Sequence, residues 1–271
     1  MNAATESADL TPLVLLERRG GVAFLTLNRP AQYNVLSEQM LAALHSTLDA
    51  IADDSSVRAV VLGGAGKAFC AGHDLKQMKA NPSKEYYQRL FDACSGLMMR
   101  IQSLPQPVIA RVHGIATAAG CQLVAACDLA VAAADARFAV SGVNVGLFCA
   151  TPSVALARNV GRKAAFEMLV TGEFIDAATA LQRGLINRCV PANRLDPEIM
   201  ELAAAIVAKP PSVIAAGKSL FYAQLELGLA PAYRIAGQAM ACNMIEDAAQ
   251  EGVAAFIEKR APKWPAPRDP G

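Results

Sequence analysis

Two short stretches of this chain could do chemistry with no reactive side chain at all. In Pro107–Ala133 a β-branched run, Val108–Val112, stops at His113-Gly114. Thr117-Ala118-Ala119-Gly120 offers only small residues, so the backbone can pass close to another group. Cys121–Ala126 then has helical character and ends at Asp128, before a second apolar run, Leu129–Ala133. A strand, a small-residue turn and a helix start place unpaired N–H groups at the positive end of a helix dipole, which suits an anion or a developing oxyanion. Taken alone, the same turn also reads as tight strand-to-helix packing. The second stretch, KAFCAGHDL at Lys67–Leu75, follows a strand-like run, Val57–Leu62, and a Gly63-Gly64-Ala65-Gly66 turn.

The side chains that usually carry catalysis are sparse. His73 is the tempting general base, because imidazole titrates near neutrality. His113 follows a buried strand and reads as structural, and His45 sits in an amphipathic helix with no evident partner. Nothing beyond the presence of the letters supports a Ser/His/Asp triad. Seven cysteines are scattered singly without a C-x-x-C pair, so neither a disulfide framework nor a metal site is expected, and the thiols read as free in a reducing compartment.

The elements that must hold those stretches follow from periodicity. Leu13–Glu17 and Val22–Leu27, separated by Gly20-Gly21, predict a hairpin. Ser37 caps a predicted helix carrying Met40, Leu41, Leu44, Leu48 and Ile51, closed by Asp53-Asp54-Ser55-Ser56. Ser83–Leu104 is a long amphipathic segment with Tyr87, Leu90, Phe91, Cys94, Met98 and Ile101 on one side, ended by Pro105 and Pro107; Arg137–Val140 is a short strand. Thr151-Pro152 reads as an N-cap followed by proline at the first helical position. Gly172 and Gly184 stop helices, Asp176 starts one, and Ile186–Val190 is a last strand. Helices are then expected around Leu195–Ala208, Val213–Leu227, Pro231–Asp247 and Gln250–Lys259, with a loose tail over Pro262–Gly271.

Composition bounds the class. The 271 residues suffice for one large domain or a domain with an appendage; 54% are apolar and 18% charged, which is globular. A formal charge of +1 gives no case for nucleic acid. No apolar run approaches the roughly 20 residues of a membrane span. Met1–Leu10 has neither a secretory h-region nor the arginines of a transit peptide, so a cytoplasmic protein is expected, with a processed mitochondrial form left open.

With the first stretch, the AGHD segment resembles the enoyl-CoA hydratase/isomerase, or crotonase, superfamily. Further matches are LTLNRP at Leu25–Pro30, FEMLVTGEFIDAATALQRGLIN at Phe166–Asn187 and EGVAAFIEKRAPKW at Glu251–Trp264, so the resemblance runs from about Leu13 to Trp264. It implies an α/β fold with a crotonase-like ββα spiral of two roughly perpendicular sheets over residues 1–195. Residues 196–271 would form a helical trimerisation region, trimers often pairing as hexamers. In that family the A-G-x-D and G-G-x-x-E segments each give one backbone N–H to a thioester oxygen. The matching positions are His73 and Ala119, beside Gly72 and Gly120. Only the backbone is used at such a position, which counts against a catalytic His73 imidazole.

The resemblance also implies where coenzyme A lies. The loop after Leu27–Pro30 approaches its phosphates with Arg29 and Gln32. The backbone of Ala68–Ala71, including Cys70, lines adenine and pantetheine. Phe256 and Lys259 match an aromatic and a basic residue that reach a neighbouring subunit's nucleotide. Arg29 reads equally as surface charge, Phe256 as core packing and Lys259 as a solvated helix face.

The chain departs from the hydratase pattern at two glutamate positions. One lies three residues after the second donor and is Gln122; the other lies four after Phe138 and is Gly142. Residues 143–150 supply no carboxylate either, only Asn144 and Cys149 as polar or reactive side chains. The implied function is an acyl-CoA-transforming enzyme that stabilises a thioester enolate, with no prosthetic group and with coenzyme A entering as part of the substrate. Sequence-based naming would give enoyl-CoA hydratase, although hydration lacks its acids. The alternative is a non-catalytic acyl-CoA binder or regulatory oligomer. An acid or base moved in from Ser83–Leu104 (Glu85, Tyr86 or Tyr87) would separate the two.

Overall fold

Gly20 and Gly21 both take positive φ, +59° and +78°, the turn geometry that lets two strands close antiparallel without splaying. They join β1 (Val14–Arg19) to β2 (Val22–Leu27) in the computed structural model, which describes residues 12–265. The chain then lays down α1 (Glu38–Ala52), β3 (Ala59–Gly64), α2 (Leu75–Ala80), α3 (Lys84–Ser103) and β4 (Val108–Val112). Next come β5 (Ile115–Thr117), α4 (Ala119–Ala126), β6 (Leu129–Ala133) and β7 (Arg137–Ala139). The remainder is α5 (Ala150–Asn159), α6 (Arg162–Thr171), β8 (Ile175–Asp176), α7 (Ala177–Gln182), β9 (Arg188–Val190), α8 (Leu195–Val207), α9 (Pro211–Leu225), α10 (Leu229–Met244) and α11 (Asp247–Ile257).

The strands form two sheets. A six-stranded sheet has the order β1-β2-β3-β4-β6-β9, parallel except for the β1–β2 hairpin, and a three-stranded sheet has the order β5-β7-β8. From β4 onward the chain alternates between the sheets, pairing β4 with β5, β6 with β7 and β8 with β9, whereas β1–β3 belong to the large sheet alone. Side-chain alternation sends Val60, Leu62, Val108 and Ala110 to one face of the large sheet, against α1, α3 and α4. Ala59, Val61, Ile109 and Val131 point to the other face, where Leu195, Ile199 and Ala203 of α8 cover them. A fully buried leucine or isoleucine contributes about 1.5–3 kcal/mol, so these two faces supply most of the driving force.

Beyond α8, attachment to the core changes character. From α9, Lys218 reaches into the core and donates to the carbonyls of Ile101 (2.8 Å) and Gln106 (3.0 Å) and to Asp128 Oδ2 (2.7 Å). Tyr222 donates to Asp128 Oδ1 at 2.8 Å, and the Val108 amide donates to Oδ2 at 2.6 Å. Desolvation pushes the Lys218 amine below its usual range, with the Asp128 carboxylate pushing back. The outer helices expose apolar side chains, among them Leu229, Ile245 (80% exposed) and Phe256 (85% exposed).

Several expectations shift in detail. Helix α2 was not legible; Asp74 caps it by accepting the Lys76 and Gln77 amides. Helix α5 starts at Ala150 with Cys149 before it, so Thr151 is no N-cap and Pro152 is the third helical residue, still within the turn that needs no intrahelical N–H. Phe256 is exposed rather than core. The tail is tied down as far as Trp264, whose indole N–H donates to the Ala208 carbonyl at 2.9 Å. The reading of Met1–Leu10 and the last residues of the tail lie outside the described residues.

Candidate active site

The loop carrying Cys70 and the turn into α4 are sewn together by main chain. The Cys70 amide donates to Ile115 O (3.1 Å), the Thr117 amide to Cys70 O (3.0 Å) and the Ala118 amide to Ala139 O (3.0 Å). Glycine is what lets them approach. A Cβ on Gly120 would lie 2.1 Å from Cys70 O. Gly72 has φ +90°, and a Cβ there would sit 3.1 Å from the Ala119 nitrogen. The His73 and Ala119 amides are therefore held as neighbours. Ala119 opens α4 and lies outside its hydrogen-bond ladder. Among the described residues neither amide has a hydrogen-bond acceptor.

A buried asparagine fixes the facing loop. Asn34, with φ +55° and no exposure, accepts the Arg29 amide and donates to the carbonyls of Ala65, Ala68 and Phe69 at 2.8–3.2 Å. It ties residues 29–34 to residues 65–69. Leu36 extends the seam by donating to Gly72 O at 2.8 Å.

His73 and Ala119 both line a cavity of ≈ 590 Å³, together with Gln32, Ala71, Phe91, Gly142, Phe148 and Cys149 among others. A larger one, ≈ 790 Å³, lies between the core and the C-terminal helices around Arg58, Gln106 and Lys209; the two amides are not there. The titratable groups lining the smaller cavity are Tyr33, His73, Asp74, Lys76 and Cys149. Asp74 spends Oδ1 on two helix amides. His73 is held neutral by burial, with Nδ1 3.4 Å from the Leu36 carbonyl and its ring edge-on to Phe91; Nε2 is sealed and unpartnered. That contact assigns the proton to Nδ1. Burial also pushes the Cys149 thiol up, and those of Cys70, Cys94 and Cys121 up to about 12, so none is a ready thiolate.

Comparison with known proteins turns this geometry into a relationship. Residues 17–267 match the family described as Enoyl-CoA hydratase/isomerase. The chain belongs to the enoyl-CoA hydratase/isomerase family. It is 46% identical to the Xenopus laevis protein "Enoyl-CoA hydratase domain-containing protein 3, mitochondrial", over 94% of this chain and 86% of that one. It is 32% identical to the Escherichia coli (strain K12) 2,3-dehydroadipyl-CoA hydratase, over 93% and 98%. The crystal structure of a Mycobacterium smegmatis enoyl-CoA hydratase superposes with a TM-score of 0.93 at 63% identity, covering 94% of this chain and 99% of that one. The spiral core with a C-terminal helical region is thus the crotonase fold.

Within that fold, Gln32 and Ala71 join His73 and Ala119 on the cavity, while Ala68 and Cys70 lie behind it and contribute carbonyls. Arg29 is half-buried and does not line the cavity. Phe256 and Lys259, on and just after α11, are exposed and do not line it within this chain. Gln122 is buried in α4 and Gly142 lines the cavity. From the segment suspected of supplying a new acid, only Phe91 reaches the wall; Glu85 is exposed and Tyr87 donates to the Met78 carbonyl. His113 is structural, with Nε2 2.9 Å from Gly66 O, and His45 has a partner after all in Asp49 at 3.1 Å. Asn34 escaped the sequence reading, although an Asn four residues after a turn-forming Pro30 is a usable turn signal.

Proposed function

We propose that this protein binds an acyl-CoA thioester in the ≈ 590 Å³ cavity and polarises the thioester carbonyl with the His73 and Ala119 amides. The observation that carries this reading is the pair of neighbouring main-chain N–H groups without acceptors, pinned by Gly72 and Gly120. Donors fixed in advance and aimed at a developing oxyanion stabilise an enolate by several kcal/mol, about 3–4 for one donor in a measured case. Coenzyme A enters with the substrate, its phosphates nearest Arg29 and Gln32 and its nucleotide near Phe256 and Lys259 of a neighbouring copy. The chemistry is enolate-forming rather than hydration. Adding water needs one group to activate water at Cβ and one to protonate Cα, and Gln122 and Gly142 at the expected positions can do neither.

A second reading, an acyl-CoA binder without turnover, is favoured by one observation: the cavity's only imidazole has its acceptor nitrogen sealed off. Crotonyl-CoA hydration measured beside a binding titration separates these. Binding with hydration at least ~10⁴-fold below a two-glutamate hydratase supports both readings against hydration. Exchange of the acyl Cα protons with deuterated water then marks the enzyme; robust hydration overturns the assignment. The α9–α11 faces are proposed as the trimer interface, and a cytoplasmic location is proposed, with a mitochondrial one as the alternative that relatives named mitochondrial support.

A further inference from the structure

The segment after β7 closes on itself around residue 142. The Gly142 amide donates to Cys149 Sγ at 3.3 Å, and the Leu147 amide returns to Gly142 O at 3.0 Å. A Cβ on Gly142 would stand 2.4 Å from the Leu147 carbonyl oxygen and 2.7 Å from Cys149 Sγ. Gly142, Leu147 and Cys149 all line the cavity. The thiol therefore occupies the place where a side chain at 142 would leave the backbone, and the main chain closes the remaining room.

The adjoining helix carries a second unusual group. Gln122 is 4% exposed and its Oε1 has no hydrogen-bond partner. Gln122 lies one turn along α4 from Ala119 and does not itself line the cavity. A sealed, unpaired amide oxygen is costly in the resting protein. Helices α4 and α5 pack side by side, which brings the turn holding Cys149 next to that end of α4.

Resting on the acyl-CoA reading above, we propose that Cys149 contacts the acyl group itself and sets how long a chain the site accepts. Gly142 is the residue that lets the thiol occupy this place. The role is one of shape: no bond to sulfur forms or breaks, and the neutral thiol is packing surface. Bulk at 149 should then discriminate between acyl chains while leaving the coenzyme end untouched.

Calorimetric titration of the intact protein with desulfo-CoA, acetyl-CoA and butyryl-CoA tests this. Cys149→Met should weaken butyryl-CoA at least tenfold and desulfo-CoA less than twofold. Equal losses for the two, or unchanged butyryl-CoA affinity, would overturn the contact. A measurement on the unaltered chain guards against a misfolded variant: the rate at which N-ethylmaleimide modifies Cys149, read by peptide mass spectrometry, with exposed Cys242 as the reference. Saturating butyryl-CoA should slow Cys149 at least tenfold, and desulfo-CoA less than twofold. Butyryl-CoA that binds without protecting Cys149 refutes the contact and leaves the acyl-CoA reading standing. Failure of all three ligands to bind refutes both.

Discussion

At the scale of single residues, the site depends on what is missing from side chains. Gly120 has no room for a methyl group against Cys70 O, so Gly120→Val must push apart the two segments that align the amides. Overpacking of this kind costs about 1–3 kcal/mol, and more where the obstacle is main chain. Lower thermal stability together with weaker butyryl-CoA binding is expected; a variant normal in both would remove the reason for placing the site there. His73 gives a pH signature. Its folded-state pKa is lowered by burial, so the unfolded chain takes up the proton first as pH falls. The associated stability is complete above about pH 6.5 and is lost as pH drops through the lower folded value. His73→Asn should flatten the fall in melting temperature between pH 7 and 5. Because only the main-chain amide is used, it should also bind butyryl-CoA within a few-fold of the parent; a large loss would show that the ring takes part.

Elements show why some of this was readable and some was not. Helices α1 and α3 announced themselves through apolar periodicity and α1 also through its serine cap, which holds, Ser37 accepting Met40 N–H; Ser83, not read as a cap, accepts Tyr86 N–H in the same way. Strands β5 and β8, three and two residues long, are too short for a period to register, yet β5 delivers the turn into Ala119. The AGHD and Thr117–Gly120 motifs marked the two donors. Their juxtaposition rests on main-chain bonds between segments far apart in the chain, such as Thr117 N–H to Cys70 O, and these leave no trace in local pattern. The buried Lys218–Asp128–Tyr222 cluster was equally silent, because each partner lies on a different element. Removing one partner of a buried ion pair strands the other, typically at 3–5 kcal/mol. Lys218→Ala should therefore lower stability by about that amount and expose α9 to faster amide exchange before the sheet. Uniform exchange across both would argue against α9 depending on this anchor.

For the whole molecule, the apolar inventory is unbalanced. The core is dense and covered, while α9–α11 present Phe221, Leu225, Leu229, Tyr233, Met240, Ile245 and Phe256 to solvent. A contiguous apolar surface beyond a few hundred Å² is unusual on a monomer. Sedimentation at micromolar concentration should show a trimer or hexamer, and a monomer throughout that range would rule out the proposed interface. Residues 192–225 include two apolar helices, but they meet at 101°, and no single helix among the described residues is long and apolar enough to cross a membrane.

The chain has one tryptophan, and its indole lies across Gly252 while donating to the Ala208 carbonyl. It thus straddles the α8–α9 corner and α11, remote in sequence and position from the two free amides. Excited near 295 nm, the protein reports optically on that corner alone. A red-shifted emission maximum means that the last described residues have let go of the body, whatever the state of the acyl cavity. Release of that corner can accordingly be followed without a dye and without interference from ligand capture.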